Sequence, residues 1–246
     1  MSLRIAHAGA STRELADRRS LAWTGYGLMG LAAISVLFTL LPHAQAAGIG
    51  LVVLLGVASK AAMTALEFKI DTKIAAEKRA IRGAVAEERI GETLDELGEE
   101  HLIVHDVRGP FANIDHVIFS RNYGVFLIET KAHGGQVAVV DSRILVNGRS
   151  PETDIIAQTL RNTCWLADEL ERIAGVRTRV NSLVVFTNAF VVTSRSIKGI
   201  TVTNRKFLLP NIQRLGKPLA PEVWAAREKF AGLLSGSEQL AAASSR

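Results

Sequence analysis

Two long apolar runs near the start of the chain contrast with the mixed pattern that follows. No charged residue occurs between Leu21 and Leu41, and Lys60 is the only charge between Ala46 and Leu66. Each run can form a helix of about 20 residues, the length that crosses a hydrocarbon core of roughly 30 Å. The pattern therefore predicts a transmembrane hairpin over residues 21–66, preceded by a short N-terminal segment, residues 1–20.

A cleaved signal peptide is the alternative for the first run, because basic residues precede it and residues 44–46 resemble a cleavage site. The run is longer than the usual signal-peptide core of about 7 to 15 residues, and a second apolar run follows, which favours the hairpin. Several Arg and Lys residues lie before the first run and after the second, whereas the connecting residues 42–47 carry none. The positive-inside rule then predicts an integral membrane protein whose termini both face the cytoplasm.

The remaining chain has the patterning of a soluble domain. Apolar residues recur at helical spacing from Ile70 to Leu97, with a change of phase near Gly83. We therefore place a juxtamembrane helix at residues 67–82 and a globular domain at residues 83–234. The tail, residues 235–246, is rich in Ala and Ser and is expected to fray.

Within the globular domain, short β-rich runs are bounded by turn residues, which is typical of strands. They cover residues 102–107, 113–120, 124–131 and 136–140, with a further candidate at 143–146. An amphipathic helix is predicted at 151–174, an interior strand at 183–187 and a last helix at 221–234. This order predicts an α/β domain.

The candidate chemistry lies in the second and third of these strands. If they form a hairpin whose turn is centred on Asn122, Asp115 lies opposite Glu129. Opposed Cβ atoms are about 4.5–5.5 Å apart, and like charges there are destabilising. A divalent cation with oxygen ligands would offset the repulsion. Lys131 projects from the same face as Glu129 because side chains alternate along a strand.

Such a group is suited to phosphodiester hydrolysis. A metal ion can polarise a phosphoryl oxygen and activate a bound water, while a lysine offsets developing negative charge. The alternative is an ordinary strand pair with a surface ion pair. An Asp followed later by Glu-x-Lys is compatible with both interpretations.

The residues around this hairpin resemble the nuclease-related domain, the NERD family, a branch of the PD-(D/E)xK nuclease superfamily. The specific part of the likeness is Ile114-Asp115-His116-Val117 joined to the run Gly124–Lys131. Gly83-x-x-x-Glu87, Pro151 with Gln158, and the run Val184–Asn188 extend it. The resemblance covers roughly residues 83–188.

The resemblance implies a restriction-endonuclease-like core, a mixed sheet flanked by helices, here preceded by two transmembrane helices. It implies that Asp115 and Glu129 bind Mg²⁺ or Mn²⁺ and that Lys131 serves catalysis. Glu87 would assist at the metal, and Gln158 would orient the site or the substrate. The function expected is that of a membrane-anchored, metal-dependent nuclease acting on nucleic acid, with DNA favoured over RNA.

Two positions near the motifs need separate interpretation. The family usually has Gly before the helix glutamate, whereas this chain has Ala86, which bears on how closely the helix packs. Glu88 would be the working residue if the register differed by one. His116 should point away from Asp115, because neighbouring side chains on a strand face opposite ways, and we interpret it as structural.

The charge distribution points to a polyanionic partner. The formal net charge is +5, and no Asp or Glu occurs between Arg172 and Pro221. Candidate nucleic-acid contacts in that segment are Arg195, Lys198, Arg205 and Lys206. Anionic lipid is the competing partner.

Two other classes of function stay open at this stage. One is a membrane-tethered binding or scaffolding module that has the nuclease fold but little catalysis. The other is a small membrane assembly protein with an incidental soluble tail.

Overall fold

The computed structural model describes residues 3–5, 35, 39, 49–98, 100–192 and 195–234. The first predicted membrane span and the C-terminal tail lie outside these residues, apart from the isolated positions 35 and 39. Among the described residues, no helix combines the length and the apolar character needed to span a bilayer.

One long helix, α1, runs from Ile49 to Leu94 and is followed by a short 3-10 turn, Asp95–Leu97. Its later turns are rich in Ala, Glu, Lys and Arg, which are strong helix formers. Gly83 does not interrupt it, since one interior glycine costs only about 1 kcal/mol. The chain divides into two compact units at this residue, with Gly83 beginning the part that belongs to the sheet.

The described part of the chain forms one mixed sheet of eight strands. They are β1 (Leu3–Ile5), β2 (His101–Val107), β3 (Ile114–Ser120), β4 (Gly124–Val140), β5 (Arg143–Val146), β6 (Val180–Val191), β7 (Arg195–Ile197) and β8 (Ile200–Asn204). Their order is β1-β2-β3-β4-β6-β8-β7, and β5 pairs with the outer part of β4. Strands β2, β3 and β4 are antiparallel neighbours, whereas β4, β6 and β8 are parallel.

Helices cover both faces of this sheet. On one face, Ile90 and Leu94 of α1 pack with Leu208 and Ile212 of α3 (Leu208–Leu215). On the other face lie α2 (Ile155–Ala174), α4 (Pro221–Ala225) and α5 (Arg227–Leu234). The central strands are buried on both faces, which explains their nearly continuous apolar runs. The predicted α/β class is confirmed, and the arrangement fits a restriction-endonuclease-like core.

The hairpin of β3 and β4 has the predicted register. Ser120 pairs with Gly124 across the turn of residues 121–123, and the ladder continues to His116 opposite Ile128. One further step in the same register brings Asp115 level with Glu129.

Several predicted elements differ in extent. Helix α2 begins at Ile155 instead of Pro151, because the Asp154 side chain caps it by accepting a hydrogen bond from the Ala157 N–H at 3.0 Å. The predicted strands 124–131 and 136–140 are one strand, β4, which continues through an irregularity between Lys131 and Gly134. The strand predicted at 183–187 is longer, and the last helix is two helices, α4 and α5. Strands β7 and β8 and helix α3 were not predicted.

Candidate active site

Two carboxylates lie side by side where β3 begins. Asp115 is half-buried, and its Oδ2 accepts a hydrogen bond from the Thr130 N–H at 2.5 Å. Glu129, one residue before Thr130 on β4, is only 3% exposed. The hairpin register therefore places two acidic side chains together within a largely apolar core. They lie at one edge of the sheet, meaning here the edge formed by the ends of inner strands and not an outer strand.

The two oxygens of Glu129 have different surroundings. Oε1 accepts a hydrogen bond from Lys131 Nζ at 2.6 Å and a longer one from Gln158 Nε2 at 3.5 Å. Oε2 is buried and has no hydrogen-bond partner among the described residues. A buried carboxylate oxygen without a partner is costly, so it calls for an explanation. A cation at this oxygen would supply one.

The electrostatics agree with a cation-binding site. The pKa of Asp115 is raised well above its ordinary value, first by burial and then by the charges of Glu129 and Glu87. Lys131 and the Thr130 N–H act in the opposite direction but do not compensate. The raised pKa means that the folded protein disfavours deprotonation of Asp115 beside the charged Glu129. A bound cation would remove this penalty.

Lys131 is held by the same carboxylates. Burial alone would lower the pKa of Lys131, but the attraction of Glu129, with that of Asp115 and Glu87, outweighs burial and raises it. The ammonium group therefore remains charged beside the acidic pair. Its side chain is 21% exposed, so it also reaches the surface from which a substrate would approach.

The helix glutamate belongs to this group. Glu87 of α1 contributes to the pKa shifts of both Asp115 and Lys131, whereas Glu88 is not among the causes of either shift. Ala86 is 2% exposed, so its methyl group is accommodated in the packed face of the helix. Of the two neighbouring glutamates, Glu87 is therefore the one whose charge acts on Asp115 and Lys131.

A divalent ion would be held here by few protein ligands. In the ranges that the structure describes, no group of three or more His, Cys, Asp or Glu side chains is arranged to hold a metal ion. Mg²⁺ is commonly bound by one or two carboxylates, with water and substrate phosphate completing an octahedron. Asp115 and the unpartnered oxygen of Glu129 fit that donor set.

His116 lies on the other face of β3 and is fully buried. Its Nδ1 is 2.7 Å from Nδ1 of His105 on β2, and its Nε2 is 3.4 Å from the Thr130 hydroxyl. Burial, and then the nearby His105, lower the pKa of His116 well below its ordinary value. The pair packs behind the carboxylates. Strand alternation indicated the direction of His116, but no sequence signal identified His105 as its partner.

The four basic residues predicted to bind nucleic acid are not all at this edge. Lys131 is level with Phe186 of β6, which is level with Asn204 of β8. Arg205 and Lys206 directly follow Asn204 and are exposed, so they lie at the same edge, two strands from Lys131.

The other two basic residues lie elsewhere. Arg195 is exposed on the outer strand β7, level with Val202 of β8. Lys198 is in the turn at the opposite end of β8, where it lines a cavity of about 340 Å³ with Arg143 and Asp154. The structure therefore does not bring Lys198 to the acidic pair.

The domain is a mixed sheet covered by helices, with two carboxylates and a lysine at the end of an antiparallel strand pair, and this α/β arrangement fits a restriction-endonuclease-like core. In a comparison with protein families, the family described as NERD, nuclease-related domain, matches residues 82–187. The predicted nuclease-related domain is confirmed over that range. Comparisons with curated proteins and with solved structures gave no match.

Proposed function

We propose that this chain is a metal-dependent nuclease that hydrolyses phosphodiester bonds in nucleic acid, with DNA favoured over RNA. The observation that carries the proposal is the asymmetry of Glu129. One oxygen is held by Lys131 and Gln158, and the other is buried beside Asp115 and has no hydrogen-bond partner in the described part of the chain.

Each residue has a separable task in this proposal. Asp115 and Glu129 would hold Mg²⁺ or Mn²⁺, which when bound supplies positive charge and a more acidic water. The Thr130 N–H fixes the orientation of Asp115, and Gln158 fixes that of Glu129. Outer groups of this kind typically change activity 10- to 100-fold.

Lys131 would act on the scissile phosphate. Its ammonium group is held 2.6 Å from Glu129 Oε1 and reaches the protein surface. An incoming phosphate adds negative charge, which a fixed ammonium group stabilises most when that charge increases in the transition state. Glu87 adds a further negative charge that acts on both Asp115 and Lys131, and this charge would favour retention of the cation.

Nucleic acid is favoured as the substrate because positive charge continues along the same edge. Arg205 and Lys206 follow β8 at the level reached by Lys131. Contacts of this type neutralise backbone phosphates and are independent of sequence.

The test is cleavage of labelled single- and double-stranded DNA and RNA by the purified full chain with Mg²⁺, with Mn²⁺ and with EDTA. Cutting should require the metal and should be lost in Asp115→Ala and Lys131→Ala. Exposed residues remote from the acidic pair provide matched controls, Asp168→Ala and Lys229→Ala, which should cut as the wild type does. A folded chain that binds nucleic acid but never cuts would instead be the membrane-tethered binding module.

We also propose that residues 21–66 anchor the chain in the cell membrane with the nuclease-related domain in the cytoplasm. The proposal rests on the two apolar runs, and on exposed apolar side chains in the described part of the second run, Leu54 and Val57, each 64% exposed. The full chain should stay with membranes after an alkaline wash, and a chain lacking residues 1–66 should not.

Topology can be read from the single cysteine, Cys164, which is exposed. A membrane-impermeant maleimide should label it only after the cells are opened. Labelling of intact cells would place the domain outside and contradict the proposed orientation.

A further inference from the structure

Three phenylalanine rings are exposed around the edge that carries the acidic pair. Phe111 is 56% exposed in the loop that joins β2 to β3, four residues before Asp115. Phe207 is 45% exposed at the end of the 3-10 turn after β8, and Phe190 is 66% exposed on β6 beyond the level of Lys131. We refer to Phe111, Phe190 and Phe207 as the aromatic edge. Large exposed rings grouped around a candidate site indicate an interaction surface.

Two of the rings are each accompanied by a cation. The guanidinium carbon of Arg161 lies 5.9 Å from the centre of the Phe111 ring. The ammonium nitrogen of Lys206 lies 5.8 Å from the centre of the Phe207 ring. These distances are within the range of cation–π contacts. Each pair therefore presents a flat apolar surface next to a positive charge.

Side-chain amides hold the backbone at two of these rings, Phe111 and Phe207. Asn162 of α2, which is fully buried, donates a hydrogen bond from Nδ2 to the carbonyl oxygen of Ala112, next to Phe111, at 3.4 Å. Asn211 of α3 donates from Nδ2 to the carbonyl oxygen of Phe207 itself at 2.7 Å. Surfaces held in place before binding lose less conformational entropy when a ligand arrives.

In the order of the strands, Glu129 and Lys131 lie between the two ring–cation pairs. Phe111 precedes β3, and Phe207 follows β8, while Glu129 and Lys131 are on β4 between them. Three strand spacings of about 4.8 Å separate β3 from β8, or roughly 14 Å across the sheet. A chain that passes from one pair to the other would cross the site.

We propose that the aromatic edge binds an unpaired stretch of nucleic acid, whose bases stack on the rings while Arg161 and Lys206 contact its phosphates. The inference rests on the proposed nuclease function and specifies its substrate as single-stranded or locally opened. Stacking on a protein ring needs a free base face, which a closed duplex does not offer. The cations beside Phe111 and Phe207, and the absence of acidic residues between Arg172 and Pro221, favour a polyanion over an apolar protein surface.

The test is binding without cleavage. The full chain in EDTA is titrated into a fluorescent single-stranded DNA oligonucleotide and into its blunt duplex, with anisotropy as the readout. Phe111→Leu and Phe207→Leu keep an apolar side chain but remove the ring. Loss of one stacked base by truncation weakens binding by roughly 5- to 150-fold, and we expect at least the lower value here. Phe68→Leu is the matched control, because Phe68 is 70% exposed and lies in the other compact unit.

The expected result is tighter binding of the single strand, weakened by both Leu variants and restored by Phe111→Tyr and Phe207→Tyr, with duplex binding unchanged. Equal losses for single strand and duplex, no loss for either, or no nucleic-acid binding at all would overturn the proposal. Metal-dependent cleavage is scored separately on both substrates. Stacking without cleavage would refute only the nuclease, and cleavage insensitive to the rings would refute only the aromatic edge.

Discussion

Asp115→Asn should make the metal-free protein more stable. The substitution removes one of two opposed carboxylates but keeps an oxygen that can accept the hydrogen bond from the Thr130 N–H. At a separation of about 5 Å and an effective dielectric constant of about 20, two unit charges repel by about 3 kcal/mol. Lys131 offsets part of this through its ion pair with Glu129. We therefore expect the free energy of unfolding to increase by about 1–3 kcal/mol. Replacing a functional residue often stabilises a protein by an amount of this size.

The gain should depend on pH. Because the pKa of Asp115 is raised in the folded protein, the wild type loses stability as the pH rises through that raised value. Below the ordinary carboxyl pKa of about 3.9, Asp115 is protonated in both the folded and the unfolded state, and the advantage of the Asp115→Asn variant should vanish. The difference between the two proteins should therefore be small near about pH 4 and should grow as the pH rises towards the raised pKa of Asp115.

Thermal unfolding followed by circular dichroism in EDTA measures this difference. For a chain of this size, 1 kcal/mol shifts Tm by roughly 2–4 °C, so we expect roughly 2–12 °C near neutral pH. Asp168→Asn on the exposed surface of α2 is the control and should stay within about 0.5 kcal/mol of the wild type. Added Mg²⁺ should stabilise the wild type and not the Asp115 variant. A variant less stable than the wild type in EDTA near pH 8 would refute the electrostatic reasoning.

Three further substitutions test neighbouring features. Lys131→Met leaves the buried Glu129 carboxylate without its cation, so the free energy of unfolding of the metal-free protein, measured in urea, should fall by about 1–3 kcal/mol. Initial cleavage rates should fall at least about 100-fold. Retained cleavage would show that Lys131 takes no part in the chemistry. Glu87→Gln should lower the cleavage rate about 10- to 100-fold while Glu88→Gln leaves it near the wild-type rate, and the reverse order would move the helix register by one residue. Gly135→Ala should lower the free energy of unfolding by about 1–3 kcal/mol, measured by thermal unfolding, because Gly135 has φ 93° and an added Cβ would clash with the Asn147 side chain. That side chain accepts a hydrogen bond from the Gln136 N–H. An unchanged Tm would show that this part of β4 adjusts freely.

The hairpin could be predicted from the sequence because two local rules determine it. A short polar turn sets which residues face each other, and the period of two sets which side chains share a face. Asp115, Glu129 and Lys131 are all within that local range, so their grouping follows from one stretch of chain. Nothing in the stretch indicates that Lys131 and Gln158 hold the same oxygen of Glu129, since Gln158 arrives from a helix packed on the sheet.

The course of β4 shows where local rules fail. The sequence predicts separate strands at 124–131 and 136–140, divided at Gly134 and Gly135, yet the strand continues through both glycines to Val140. Gly135 has φ 93°, a conformation used both in turns and in strand irregularities. Only the pairing of this segment with β6 distinguishes the two cases, and that pairing joins residues far apart in sequence.

The same limit applies to the basic segment. Its positive charge was evident, but which residues meet the acidic pair depends on the parallel pairing of β6 with β8. That pairing places Arg205 and Lys206 at the end of β8 nearest Lys131 and puts Lys198 at the other end. The composition of a segment gives the sign of its net charge, whereas the connections between strands decide where each charged residue lies.

The pairing of β4 with β6 has a consequence for the order in which the site assembles. Residues 125–131 pair with residues 180–186, so the two strands close a loop that contains all of α2. Contacts of such long sequence separation form slowly, whereas a hairpin with a short turn forms in microseconds. We expect Asp115 and Glu129 to come together early in folding, before Gln158 packs against the sheet. At that point the newly formed hairpin carries two neighbouring exposed carboxylates, and any available cation would reduce their repulsion. Pulse-labelling hydrogen exchange would detect this as protection of Val117 and Leu127 before that of Val184, and simultaneous protection would show that the strands form as one unit.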